Sequence, residues 1–153
     1  MTTPSIVPSK YLGTDADYYQ APGLNSGALK LVTGSVTIPS GTAATTVVGL
    51  IPFRKGASFD LDNNSIYCAD FGAGTTTVDI GYVYDDNSTY TNDDDAWASA
   101  DTAPQSGGFV AIDLLPGMTF VSEADGWLAV TINTAAADAE ADITFKVGVS
   151  YGA

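Results

Sequence analysis

The chain has 153 residues with one cysteine, no histidine and eighteen acidic against five basic side chains, a net charge of −13. Lys10, Lys30, Arg54, Lys55 and Lys146 are the whole basic set, too few to displace counterions from a phosphate backbone, so nucleic acid and anionic membrane are excluded as partners. Without histidine there is no Ser-His-Asp or Cys-His nucleophile and no histidine-ligated zinc, and a lone thiolate cannot build a metal cage.

A chain of this length makes one domain whose core needs no disulfide or metal staple. Residues 1–30 carry Pro4, Pro8, Pro22, Gly13, Gly23 and Gly27 with scattered aromatics and follow neither the helical nor the strand period. This stretch reads as an extended N-terminal arm ahead of a domain over residues 31–153. Tyr11, Leu12, Tyr18, Tyr19 and Leu24 are its candidate partner-binding residues, since tyrosine brings contact area at low rotamer cost. Fully extended, such an arm reaches at most roughly 100 Å, enough to cross a neighbouring subunit. The competing reading is that it folds back along its own domain, or orders only on binding. The opening residues have no apolar run of signal-peptide length, and no stretch is long enough to span a bilayer, so cytosolic synthesis is expected.

From Leu31 onward short apolar and Thr-rich segments alternate with Gly, Asn, Asp and Pro clusters, the spacing of an all-β domain. Strands are predicted over 31–38, 45–53, 57–61 and 65–69, where Cys68 reads as a small core hydrophobe. In TTTVDIGYVYD, Val78, Ile80, Tyr82 and Tyr84 face inward against Thr77, Asp79 and Gly81. After it comes YDDNSTYTNDDDAW, residues 84–97, in which five aspartates have no basic residue to answer them. It reads as a hydrated loop facing outward, ahead of a calcium site built from the same carboxylates. Further strands are predicted over 109–114 and 118–122. GWLAVTIN then places Leu128, Val130 and Ile132 inward against Trp127, Ala129 and Thr131. TAAADAEAD, 134–142, has helix formers but no apolar stripe, so it is allowed one turn at most. The closing ADITFKVGVSY is the clearest strand, with Ile143, Phe145, Val147, Val149 and Tyr151 on one face and Asp142, Thr144, Lys146, Gly148 and Ser150 on the other. About nine strands in this order predict an all-β, two-sheet antiparallel sandwich, jelly-roll-like, with a partly closed barrel as the alternative.

Motifs for chemistry are sparse. DLDNNS, residues 60–65, starts like an EF-hand loop with Asp60, Asp62 and Asn64, but puts Ser65 where glycine is required and Phe71 where a bidentate glutamate is required. A strand turning through an Asn-Asn corner explains it better. The Gly-Ser-Thr runs at 23–27 and 34–41 lack a Walker lysine and a nucleophile elbow. No catalytic residue, metal ligand or cofactor is assigned, and a non-enzymatic protein is expected. Two other classes are kept open. One is a carbohydrate-binding or adhesion module stacking sugars on Trp97, Trp127 and the tyrosines, and the other is a glycosidase using paired aspartates.

The Pro/Gly/Tyr arm, the small Ala-Gly-Thr-rich sandwich, the scarcity of cations and the closing EADGWLAVTINTAAADAEADITFKVGVSY together resemble virion structural proteins of tailed bacteriophages, most of all the small head-decoration or cement proteins. That resemblance implies a non-enzymatic protein, often trimeric, made in the host cytoplasm. It would sit on the outer capsid surface, bind the major capsid protein and bridge capsomers. No motif transfers a binding residue from that group; the five arm residues rest on their own chemistry.

Overall fold

The computed structural model describes residues 4–8, 29–72 and 74–151, and for 116–118 the backbone alone. Nine strands follow in chain order: β1 (Lys30–Ile38), β2 (Val47–Phe53), β3 (Ala57–Asp60), β4 (Ile66–Cys68), β5 (Thr77–Tyr84), β6 (Asp93–Asp101), β7 (Gly108–Phe109), β8 (Gly126–Asn133) and β9 (Ala141–Tyr151). A 3-10 turn (Ala103–Gln105) precedes β7, and a short helix, α1 (Leu114–Thr119), follows it. The strands form two antiparallel sheets, a five-stranded one ordered β1-β9-β4-β7 with β3 also on β9, and a four-stranded one ordered β2-β8-β5-β6. Ala57 lies opposite Tyr151 and Ile66 opposite Phe145, so β3 and β4 run along one edge of β9, separated by the turn at 61–65. Taken as one interrupted strand, they leave eight strands in two sheets, the jelly-roll arrangement that the sequence pattern predicts.

Strand β9 is built as its alternation requires, with Ile143, Phe145, Val147 and Val149 buried and Asp142, Thr144 and Lys146 exposed. Its inward row meets Leu128, Val130 and Ile132 of β8 and Val78 and Ile80 of β5 in one continuous core that also holds Phe53, Phe59, Phe71 and Trp97. Rings in that core meet edge to face, Phe53 with Phe59 at 5.4 Å between centroids and Phe59 with Trp97 at 6.0 Å, the arrangement the ring quadrupole favours.

Three expectations are corrected. First, the residues of β5 and β8 assigned to a wet face, Thr77, Asp79 and Gly81 with Trp127, Ala129 and Thr131, are buried. The cover comes partly from the chain's own start. Ile6 pairs in parallel with Val48 on the free edge of β2, Ser5 N donates to Val47 O at 3.0 Å, and Gly49 N donates to Ile6 O at 2.8 Å. From there Val7 packs on Val83, Trp127 and Ala129, and both Pro4 and Pro8 are buried. Gly49 makes this approach possible, because a Cβ there would stand 2.6 Å from Trp127 and 2.9 Å from Pro4. Asp79 is kept satisfied in this covered face by Ala100 N at 2.6 Å and Asn133 Nδ2 at 2.9 Å.

Second, Asp93 to Trp97 do not belong to a hydrated loop. They open β6, an edge strand whose pairing with β5 slips register twice, and the loop shrinks to residues 85–92. Trp97 and Ala98 face in and the three aspartates stay exposed. Acids on an exposed edge discourage pairing with another chain. Third, the strand predicted over 109–114 is reduced to the two residues of β7, and where a strand was expected over 118–122 the chain forms α1 and then an irregular segment. Asp113 Oδ1 accepts Leu115 N at 3.1 Å to start the helix. Ser122 is buried and holds the segment down, its Oγ accepting from Ala57 N and donating to Arg54 O, each at 2.8 Å.

Candidate functional site

The outer face of the five-stranded sheet is assembled by register from four strands far apart in sequence. Leu31 lies across from Gly148, Thr33 from Lys146 and Ser35 from Thr144. Thr144 in turn faces Tyr67, and Tyr67 faces Phe109. Because side chains alternate across the pleat, all of these project to the side away from the core. Two apolar groups sit on this polar ground. Leu29 and Leu31 stand at one end, Leu31 62% exposed, and Leu29 lies over Gly148, where an added Cβ would meet Leu29 Cδ1 at 3.0 Å. At the other end Tyr67 and Phe109, the latter 54% exposed, meet edge to face at 5.2 Å.

Between these groups run two adjoining hollows that share Asn64, Ser65 and Lys146. One of about 390 Å³ is lined by Leu29, Leu31, Asp60, Asp62 and Gly148, and one of about 320 Å³ by Tyr67, Phe109, Thr144 and Phe145. Lys146 is the only base among the described residues that line either. Apolar anchors flanking a polar, hydrogen-bonding strip suit a protein partner better than a substrate.

A third hollow, of about 330 Å³, opens beside the loop at 85–92 and is lined by Tyr82, Tyr84, Thr89, Tyr90 and Thr91 on one side and Thr119, Phe120, Val121 and Glu123 on the other. The rings gather closely: Tyr82 and Phe120 at 4.6 Å, Tyr82 and Tyr84 at 5.2 Å, Tyr84 and Tyr90 at 5.6 Å. Glu123 N donates to Tyr84 Oη at 3.1 Å, which fixes the rim against the floor. Burial, then neighbouring negative charge including Glu123, pushes the Tyr82 phenol up, and burial also raises Tyr84.

The five arm residues Tyr11, Leu12, Tyr18, Tyr19 and Leu24 lie outside the described residues. The oxygens of the EF-like stretch are turned to structural use. Asp62 Oδ1 accepts Asn64 N at 2.7 Å, and Asn63 Oδ1 accepts Ile112 N at 2.8 Å. In the loop Asp86 Oδ1 accepts Ser88 Oγ at 2.6 Å, and among the described residues no three acidic, histidine or cysteine side chains converge as a metal site. Burial, then Asp101, pushes the Cys68 thiol up to about 12, so it is no nucleophile at neutral pH. Trp97 and Trp127 are both buried, which removes them as sugar-stacking platforms. Sequence reasoning missed both surfaces, although Tyr67 beside Cys68 in an alternating strand was the available signal for an outward aromatic.

No protein-family model and no curated protein matches the chain. In fold it is similar to a chain in the Cyanophage Pam1 capsid asymmetric unit, with TM-score 0.52 and 18% identity over 93% of this chain and 99% of that one. It is likewise similar to a chain in the capsid of Ralstonia phage GP4, with TM-score 0.52 and 20% identity over 79% of this chain and 84% of that one. At such identity the likeness establishes a shared fold.

Proposed function

We propose that this chain is a non-enzymatic structural protein of a tailed-phage virion, a decoration or cement subunit that binds the outside of the assembled capsid and bridges capsomers. The observation that carries the reading is the likeness, nearly end to end, to one chain of a capsid asymmetric unit. The likeness takes in 93% of this chain and 99% of that one, so it spans both sheets of the sandwich. The exposed Leu31, Tyr67 and Phe109 on the outer face of the five-stranded sheet support it as one contact surface, and Tyr11, Leu12, Tyr18, Tyr19 and Leu24 are the arm's contact residues by their chemistry. The partner is the major capsid protein and the favoured assembly of this chain is a trimer, because three copies around one axis engage three neighbours at once.

The mechanism is linkage. A subunit that binds only the assembled, expanded shell stabilises that state by its binding free energy, summed over many copies. A contact of about 1,600 Å² of total buried surface is ordinary for a stable joint. The test is sedimentation of the purified full chain with undecorated, expanded capsids. Co-sedimentation that saturates at a fixed copy number per capsid supports the reading; protein left wholly in the supernatant overturns it. Removing residues 9–28 and rejoining the ends with a short glycine-serine linker should weaken binding while leaving the β circular-dichroism signal intact.

A further inference from the structure

We propose that the tyrosine-lined hollow beside the loop at 85–92 is a socket for a cationic side chain, arginine or lysine, presented by the capsid surface. The inference rests on the capsid-binding reading above and adds the chemistry of one contact to it. The lining is made of aromatic rings, hydroxyls and one carboxylate, with Val121 as its one aliphatic side chain. Three tyrosines and Phe120 supply rings, Thr89, Thr91 and Thr119 supply hydroxyls, and Glu123 supplies a carboxylate at the rim. Such a set holds a guest that donates N–H bonds and carries positive charge, because the ring faces are the negative pole of the quadrupole and attract a cation placed over them.

The surroundings point the same way. Among the described residues no lysine or arginine lines the hollow, and the chain as a whole carries eighteen acids against five bases. The negative field reaches into the cavity, since after burial the charges of Asp93 and Glu123 disfavour ionisation of Tyr82. Burial first, then the charge of nearby Asp125, pushes the Asp85 carboxyl above its ordinary value. Asp85 N donates to Asp125 O at 3.0 Å, which ties the two acidic segments together beside the hollow. A cation entering here meets rings, hydroxyls and the Glu123 carboxylate together. Arginine suits it best, because a planar guanidinium stacks on a tyrosine face while its edge bonds to a carboxylate.

The socket opens from the four-stranded half of the sandwich, whereas the Leu31 and Phe109 surface covers the five-stranded sheet. Two contact regions on different sheets are what a bridging subunit needs.

The experiment titrates isotope-labelled full chain with N-acetyl-arginine methylamide and with the neutral isostere N-acetyl-citrulline methylamide, following backbone amide shifts. Saturable shifts at Tyr84, Tyr90 and Glu123 with the arginine compound, and weaker ones with citrulline, are expected. Tyr90→Ala and Glu123→Gln should each weaken arginine binding roughly twofold to thirtyfold, the span of a single cation–π or charge contact. Glu123 is exposed, so its variant folds and keeps the test valid if Tyr90→Ala does not. Equal shifts with the two compounds, or shifts confined to other residues, overturn the proposal. Sedimentation with capsids then separates the two readings. If wild type binds capsids and both variants bind equally well, the socket is not the contact and the proposal fails. If wild type does not bind capsids but the arginine shifts persist, the capsid reading fails and a cation socket stands.

Discussion

The two sheets of this sandwich differ on their outer faces. On the five-stranded sheet, β9 alternates as a half-exposed strand should, and leucines and aromatics are left in water among threonines and one lysine. On the four-stranded sheet the two central strands, β5 and β8, are buried on both faces. That difference has a cause in the chain's own start: residues 4–8 extend the sheet along β2 and put Val7 on Trp127, Val83 and Ala129. One outer face is therefore covered within the fold, and among the described residues nothing covers the other. A β-sheet face with unpartnered apolar groups reads as an interaction surface only once the protein's own segments have been assigned, and here residues 4–8 are spoken for.

The contrast predicts opposite outcomes for the same kind of truncation. Trp127 is 6% exposed and sits on the covered face. Trp127→Ala should cost about 3–5 kcal/mol, the range for emptying a large aromatic site. Phe109→Ala on the open face should cost no more than about 0.5–1 kcal/mol while weakening capsid binding about tenfold or more. Denaturant melts of both variants, with capsid sedimentation of the second, decide it; equal stability losses would erase the distinction between the faces.

The next effect in size concerns the seam between the amino-terminal segment and the sheet. Gly49→Val places methyl groups where Trp127 and Pro4 already stand. Overpacking of this kind costs about 1–3 kcal/mol. The loss should be largely absent when residues 1–8 are also deleted if Pro4 is the group displaced, and unchanged if Trp127 is. A double-mutant cycle by denaturant melting separates the two.

A gain is expected at the neighbouring position. Thr131 is buried on the same covered face, and its Oγ1 has no hydrogen-bond partner among the described residues. Valine has nearly the same shape without the hydroxyl. Thr131→Val should therefore stabilise the fold by about 1 kcal/mol, the order of the desolvation cost removed. The same change at Thr144, exposed on the open face, should leave the melting midpoint where it is.

The alternation of β9, β5 and β8 was legible because a period of two needs only local residues to read. The second burial of β5 and β8 was not legible, since its cover comes in part from residues 4–8, on the order of a hundred positions before Trp127 in the chain. β6 hid behind its aspartates. An edge strand needs few inward residues, here Trp97 and Ala98, and its outward acids are written in the alphabet of a loop. The helix α1 contains Pro116 and Gly117 and has little intrinsic helical preference. Its start is fixed by Asp113, and the segment after it by Ser122 against the β2–β3 turn. The outer face of the five-stranded sheet was beyond sequence reading for a related reason: Leu31, Tyr67, Phe109 and Lys146 come from four strands, and only their register makes them neighbours.

The smallest predicted effect lies in the acidic loop and the start of β6, where two carboxylates have opposite linkage. Burial first, then a hydrogen bond shared with Asp95, pushes the Asp93 carboxyl above its ordinary value. Hydrogen bonds from the Ser88 and Thr89 side chains pull Asp86 below it. A carboxyl raised by folding penalises the native state at neutral pH, and the penalty disappears as pH falls through its folded pKa. A carboxyl lowered by folding does the reverse: it contributes stability above the unfolded pKa, which is lost as pH falls through its folded value. Asp93→Asn should therefore raise the melting midpoint slightly at pH 7 and lose that advantage below the unperturbed value of 3.8. Asp86→Ala should lower the midpoint slightly at pH 7 and converge with wild type well below 3.8. Both side chains are exposed, so salt screens each effect and the shifts should shrink together between low and high ionic strength. If the two substitutions moved the midpoint in the same direction at pH 7, burial of the Asp93 carboxyl would not set the sign of its effect, and general repulsion within the acidic run would account for both.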